Sequence, residues 1–177
     1  MKWTDIDGWF TEADAGIYRK WAKECPAKCT IVELGTWFAR SANCLLEELD
    51  RAGKPDVRVV CIDCFPRQTL PVAAATLCRW AGRVRIVQWD TCAAAALFAP
   101  KTVYAVYIDA DHSYEGTLAA IHAWLPKIRQ DGRIGGHDYQ PPTPEAKGWP
   151  GVVQAVREMQ QGQEPPTWGT SWELLRY

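Results

Sequence analysis

Apolar positions in this chain fall into short blocks whose spacing switches repeatedly between every second residue and a helical repeat. Blocks at Thr30–Leu34, Val57–Ile62, Val84–Val87, Val103–Ile108 and Arg133–Gly136 alternate or run continuously apolar and read as strands. Between them, Phe38–Arg51, Leu70–Trp80, Thr91–Phe98 and Tyr114–Arg129 carry helical spacing. An earlier helix is predicted over 11–24, where Thr11 and Asp14 resemble a capping box, Ala13, Ile17 and Trp21 share a face, and Pro26 stops the run. Strand–helix alternation with short turns predicts an α/β fold of three layers, a doubly wound and mostly parallel sheet covered on both faces. After the fifth strand a proline-rich loop, QPPTPEAKGWPG, leads into a helix at about Val152–Gln161. Pro165 and Pro166 then precede Thr167–Gly169 and Ser171–Arg176, which predict a terminal hairpin with one strand entering the sheet antiparallel.

The 177 residues suit one domain, with 1–29 as an N-terminal helical segment and 30–177 as the core. A formal net charge of −1 and scattered basic residues give no footprint for nucleic acid or an anionic membrane. With neither a signal-like N-terminus nor an apolar run near the ~20 residues a membrane span needs, a soluble, cytoplasmic protein is expected. The odd count of 7 cysteines fits buried, reduced thiols better than a disulfide framework, and Cys61–Cys64, though CxxC in form, lacks the partners of a zinc site. Among the tryptophans, Trp21, Trp80 and Trp124 sit in helical patterns and read as core, while Trp149 and Trp168, flanked by Pro and Gly, are candidates for a substrate wall.

The chemistry gathers at strand ends. Val103–Ile108 is apolar throughout and gives way to Asp109, Asp111 and His112, ionisable groups that are costly beside a buried strand unless partnered. The next strand ends in Gly135-Gly136-His137-Asp138-Tyr139, so Asp109 and Asp138 are expected to meet. Like charges that close need a cation or a raised pKa; carboxylate oxygens suit Mg²⁺, Mn²⁺ or Ca²⁺, and His112 is then placed as a general base. The plainer alternative has Asp111 or His112 capping the following helix and His137 at the surface. Glu33, two residues before Gly35 in IVELGTWFARS, suits a positively charged ligand group or a solvated strand end. Asp63 ends the second strand, where it could accept both hydroxyls of a ribose or simply shape a turn. Asp90 follows the third strand and fits either an adenine amino group or the cap of the next helix.

In this order the motifs IVELGTWFARSA, VVCIDCF and YIDADHSYEG…AWLPKIRQDGRIGGHDY resemble the class I S-adenosylmethionine-dependent methyltransferases, over roughly residues 30 to 160. Within them the chain looks like the metal-dependent small-molecule branch that includes macrocin-type and catechol O-methyltransferases. The resemblance implies a Rossmann-like, seven-stranded methyltransferase sheet with one antiparallel strand. It also implies S-adenosyl-L-methionine held by Glu33, Gly35, Ser41, Asp63, Asp90 and Asp109, Mg²⁺ or another divalent cation held by Asp109 and Asp138, and His112 with Asp109 as the catalytic pair. The chain departs from that pattern in three places: His112 stands where the catechol enzyme has a lysine, Tyr139 where it has a further metal ligand, and Ala39 where a glycine is common. His137 or Asp111 could supply the missing ligand.

The expected reaction is methyl transfer to a small-molecule hydroxyl, on a sugar or a phenol, with no nucleic-acid or membrane partner; a homo-oligomer is compatible with the sequence. Two alternatives compete: an NAD-dependent oxidoreductase, against which the absence of GxGxxG counts, and a non-catalytic cofactor-binding or assembly subunit.

Overall fold

The computed structural model describes residues 1–175, so Arg176, expected at the end of the last strand, lies outside the described residues. Seven strands form: β1 Thr30–Leu34, β2 Arg58–Asp63, β3 Val84–Gln88, β4 Val103–Ile108, β5 Ile128–Gly136, β6 Thr167–Trp168 and β7 Ser171–Glu173. They make one sheet in the order β3-β2-β1-β4-β5-β7-β6. The first five are mutually parallel, and β7 runs antiparallel to both β5 and β6. The expected architecture, doubly wound with one antiparallel strand, is the one that forms.

The period-two pattern assigns each strand residue to a face. Ile31 and Tyr107 point into a core shared with Tyr18, Trp21, Leu45 and Leu49, from α1 Ala15–Glu24 and α2 Arg40–Arg51. Val32, Leu34, Val106 and Ile108 point into the opposite core, with Ile121 and Trp124 of α4 Tyr114–Trp124 and Val153 of α5 Pro150–Met159. The remaining helix, α3 Thr69–Leu77, covers the first face beyond α2 through Ala73 and Leu77. β4, between β1 and β5, is buried at every position, which is why its sequence does not alternate. The chain reverses its direction of winding between β1 and β4, and the crevice past their carboxyl ends is where such sheets bind ligands.

Several boundaries differ from the sequence reading. α4 ends at Trp124 rather than near Arg129, because Pro126 cannot continue the helix; a short 3-10 turn follows, and β5 begins at Ile128. Its early half, Arg129-Gln130-Asp131, is polar and does not read as strand. The alanine-rich Thr91–Phe98 segment forms only a 3-10 turn over Ala93–Leu97. The first helix starts at Ala15, after the Thr11–Asp14 pairing. All seven cysteines are free, but only Cys25, Cys29, Cys44 and Cys61 are buried, so the expectation of buried thiols fails at Cys64, Cys78 and, in part, Cys92. Trp21 and Trp124 are core, whereas Trp80 is half-buried and donates to Asn43 at 2.6 Å. No helix among the described residues is long and apolar enough to cross a membrane.

Candidate active site

A cavity of about 810 Å³ opens over the carboxyl ends of β1, β2, β4 and β5, within the range typical of cofactor-sized ligands. Its floor at β1 is the Gly35 turn. Gly35 has φ +84°, and a Cβ there would lie 1.7 Å from the Asp109 carbonyl oxygen, so only glycine fits between the two strand tips. Beyond it Trp37 and Ala39 also take left-handed backbone angles (φ 48° and 65°). Where a glycine is common in the resembling family, Ala39 therefore adopts the glycine-like conformation regardless, at about 1–2 kcal/mol of local strain.

Asp63 ends β2 and shapes the loop that faces it. Its Oδ2 accepts the Trp37 N–H at 2.8 Å and its Oδ1 the Phe65 N–H at 2.7 Å, so the turn role and a cavity-facing position coexist. Asp90 also lines the cavity, and its Oδ1 caps the following 3-10 turn through the N–H groups of Cys92 (3.1 Å) and Ala93 (2.7 Å). Ser41, at the start of α2, lines the same wall. Glu33 is fully buried behind that wall: Oε1 accepts the Tyr18 hydroxyl at 3.1 Å and Oε2 has no partner. Burial raises its pKa to about 8 against the opposing pull of the Ser41 and Tyr18 hydroxyls, so it is no solvated strand end.

At the other end the structure brings Asp109, His112, His137 and Asp138 together. Register places His137 beside Asp109, since the His137 N–H donates to Ile108 O at 3.0 Å. His112 Nε2 lies 3.0 Å from Asp138 Oδ2 and 3.4 Å from Asp109 Oδ1. His137 Nδ1 lies 3.4 Å from Asp138 Oδ1 and 3.7 Å from Asp109 Oδ2. Asp109 and Asp138 raise His112 to about 9. Burial would lower His137, but Asp138 and Asp14 outweigh it and hold it at about 10. Burial would likewise raise Asp138, and the two imidazoles instead keep it well below the usual carboxylate range.

Ligand atoms of Asp109, His137 and Asp138 lie within 4.8 Å of one another, a donor set that fits a divalent cation. Tyr139 does not join it: its hydroxyl turns away to donate to Glu164. Asp111 is exposed and accepts the Ser113 N–H at 2.8 Å, while Ser113 itself caps α4. The Gly135-Gly136 pair makes room beneath the site, because a Cβ on Gly136 would sit 2.8 Å from the Trp172 indole, whose N–H donates to His137 O at 3.0 Å.

The remaining walls are aromatic. Trp149 lies against the His112 ring with centroids 4.4 Å apart, whereas Trp168, the other wall candidate, packs on Gly16 of α1. Trp9 leans on Trp37 at 6.2 Å. The N-terminal segment carrying it is tied down by Arg40, which donates through Nε to Phe10 O at 2.7 Å and through Nη1 to Ile6 O. Sequence reasoning passed over Arg40 and the full reach of Asp14, whose partners are remote in the chain. Only the Thr11–Asp14 spacing carried a local signal.

A family profile described as a methyltransferase domain matches residues 32–139. No curated protein sequence matches the chain. Among solved structures, cofactor-bound Rv0187 from MTB is similar at a TM-score of 0.72 and 19% identity, over 97% of this chain and 84% of that one. A Corynebacterium glutamicum protein gives 0.69 and 15%, over 96% and 82%. CalS11, a TDP-rhamnose 3'-O-methyltransferase of calicheamicin biosynthesis, gives 0.60 and 20%, over 90% and 76%. At these identities the structural likeness carries the fold. The profile match carries the family, and it argues against the nicotinamide and non-catalytic alternatives. Since that match spans more than half of the sequence, the chain belongs to the methyltransferase-domain family and is a class I S-adenosylmethionine-dependent methyltransferase.

Proposed function

We propose that the protein methylates a hydroxyl of a small molecule, a sugar or a phenol, with His112 as the base and a divalent cation held by Asp109 and Asp138. The observation that carries this reading is the convergence of Asp109, His112 and Asp138, joined at 3.0–3.4 Å, in the same cavity that Asp63 and Asp90 line. In this reading Asp63 accepts the ribose hydroxyls, Asp90 lies by the adenine, and Gly35 with Ser41 receives the methionine end. The positive charge of the cofactor draws the buried Glu33, behind the wall, toward its ionised form. A divalent cation bound there supplies a lowered pKa at the acceptor hydroxyl. His112 then takes the hydroxyl proton, and Trp149 and Trp9 hold the acceptor's flat or apolar face. The lining is rich in carboxylates (Asp7, Asp14, Asp63, Asp90, Asp109, Asp111, Asp138) against one arginine, Arg40, which speaks against a nucleic-acid acceptor.

The test is incubation with labelled cofactor and sugar or phenolic acceptors, with and without EDTA. Methyl transfer that EDTA abolishes and that His112→Ala reduces by about 100-fold or more supports the reading. Activity indifferent to chelator removes the cation from it, and undiminished turnover in His112→Ala removes the base.

A further inference from the structure

His137 is the one member of the cation-facing set whose ring is held from behind. It follows β5 directly and is 6% exposed. Its Nδ1 faces Asp138 and Asp109 at the distances given above, while Nε2 points the opposite way, 3.4 Å from Asp14 Oδ2 and 2.9 Å from the Thr170 hydroxyl. Asp14 is 1% exposed and itself fixed on both oxygens. Oδ1 accepts the N–H groups of Thr170 at 2.8 Å and Ser171 at 3.0 Å, and Oδ2 accepts the Thr11 N–H at 2.8 Å and hydroxyl at 2.5 Å. The carboxylate thus joins the start of α1, the turn between β6 and β7, and the tip of β5. A carboxylate behind the far nitrogen of an imidazole keeps a proton on that side, so a cation arriving at Nδ1 has to displace only the proton that Nδ1 shares with Asp138 and Asp109.

We propose that Asp14 is a positioning residue that presents His137 Nδ1 as a third donor beside Asp109 and Asp138. The resulting nitrogen-and-oxygen site takes Mn²⁺ ahead of Mg²⁺. The proposal rests on the reading that a divalent cation lies between Asp109 and Asp138, and adds which of Mn²⁺ and Mg²⁺ the site favours and what sets that preference. Mg²⁺ demands near-ideal octahedral geometry and gives up water reluctantly, whereas Mn²⁺ shares its liking for carboxylates and, as a first-row transition ion, takes an imidazole nitrogen at less cost. The arrangement also explains why a cavity-lining carboxylate is nevertheless 1% exposed, with Thr11, Thr170, Ser171 and His137 all directed at its oxygens.

The test uses the full chain, freed of metal with chelator and titrated separately with Mn²⁺ and Mg²⁺ by calorimetry, with electron spin-echo spectroscopy of the Mn²⁺ form. The expected result is Mn²⁺ binding at least about 10-fold tighter than Mg²⁺, with nitrogen coupling from one imidazole. Asp14→Asn should weaken Mn²⁺ by about 10–100-fold, the usual cost of losing an outer partner, and reduce the nitrogen coupling. His137→Gln, which leaves Asp14 in place, should abolish the coupling and bring the two cations to similar affinity. That second variant keeps the proposal testable if Asp14→Asn loosens the hairpin. Tight binding of both cations without preference or nitrogen coupling overturns this inference and leaves the underlying reading intact. Equal weakening of both cations in Asp14→Asn, with coupling unchanged, reduces Asp14 to a structural tie and also overturns it. Failure of the wild-type chain to bind either cation overturns the underlying reading and this proposal with it.

Discussion

The Tyr18 hydroxyl donates to Glu33 Oε1 at 3.1 Å, and both side chains are sealed from solvent. The bond is between a helix on one face of the sheet and the tip of β1, so a group at the cofactor wall is anchored in the hydrophobic core. Burial raises the Glu33 pKa from 4.5 to about 8. A carboxyl whose folded-state pKa is raised costs nothing below its unfolded value. The cost grows as pH rises from 4.5 and is complete above about 8. Glu33→Gln, which keeps the acceptor for Tyr18, should therefore leave stability nearly unchanged at pH 4.5 and raise it by about 2–4 kcal/mol at pH 9. Urea unfolding at the two pH values measures this. If a cofactor cation draws Glu33 into its charged form, cofactor affinity read by calorimetry should fall in the same variant; a variant that gains stability and binds as well as wild type would confine Glu33 to the core.

Asp63 combines two duties at β2. Both of its oxygens accept backbone N–H groups, from Trp37 and Phe65, and the side chain also lines the cavity. Asp63→Asn puts an amide NH₂ against one of those N–H donors. The expected cost is about 1–3 kcal/mol in unfolding free energy, together with at least about 10-fold weaker cofactor binding. Loss of stability alone, with normal affinity, would remove Asp63 from the ribose role.

Most of what positions the site was legible locally. β1 and β4 form over the residues their apolar runs predict, because each is central in the sheet and packed on both sides. Asp109, His112 and Asp138 could be placed together since neighbouring strand tips must meet. What stayed hidden depends on contacts between remote segments. Glu33 looks like a strand-end acid in sequence and is a buried partner of Tyr18 in the structure. Asp14 looks like a helix-start residue, and its partners at Thr170 and Ser171 come from the far end of the chain. The polar start of β5 was missed for a different reason: edge burial there is slight, with Gln130 and Asp131 exposed, so no apolar pattern marks it.

Trp149 precedes α5 and covers the His112 ring at 4.4 Å while remaining 42% exposed. An exposed indole laid on the His112 ring is placed to define the approach of an acceptor bound there. Trp149→Ala should raise the acceptor KM by about 10-fold or more, with Trp149→Phe intermediate, and leave the cofactor Kd near wild type, since Asp63 and Asp90 follow β2 and β3, away from Trp149. Steady-state kinetics with varied acceptor, paired with cofactor calorimetry, separates the two. An equal loss in both would assign Trp149 to general packing.

If His112 is the base, it should give the reaction its pH signature. Asp109 and Asp138 raise it from 6.5 to about 9, so without a cation the imidazole stays protonated through neutral pH and cannot accept a proton. Its ion pairs add stability that is complete below pH 6.5 and lost as pH rises through about 9, so the cation-free protein should melt at lower temperature at pH 10 than at pH 6. Occupying Asp109 and Asp138 with a divalent cation removes the cause of the shift. The acid limb of kcat/KM should then move from near 9 toward 6.5 as cation concentration rises, because the neutral imidazole becomes the resting form at lower pH. Profiles recorded at low and saturating cation provide the measurement. A limb that stays put across that range, or that persists in His112→Gln, would assign the titrating group elsewhere.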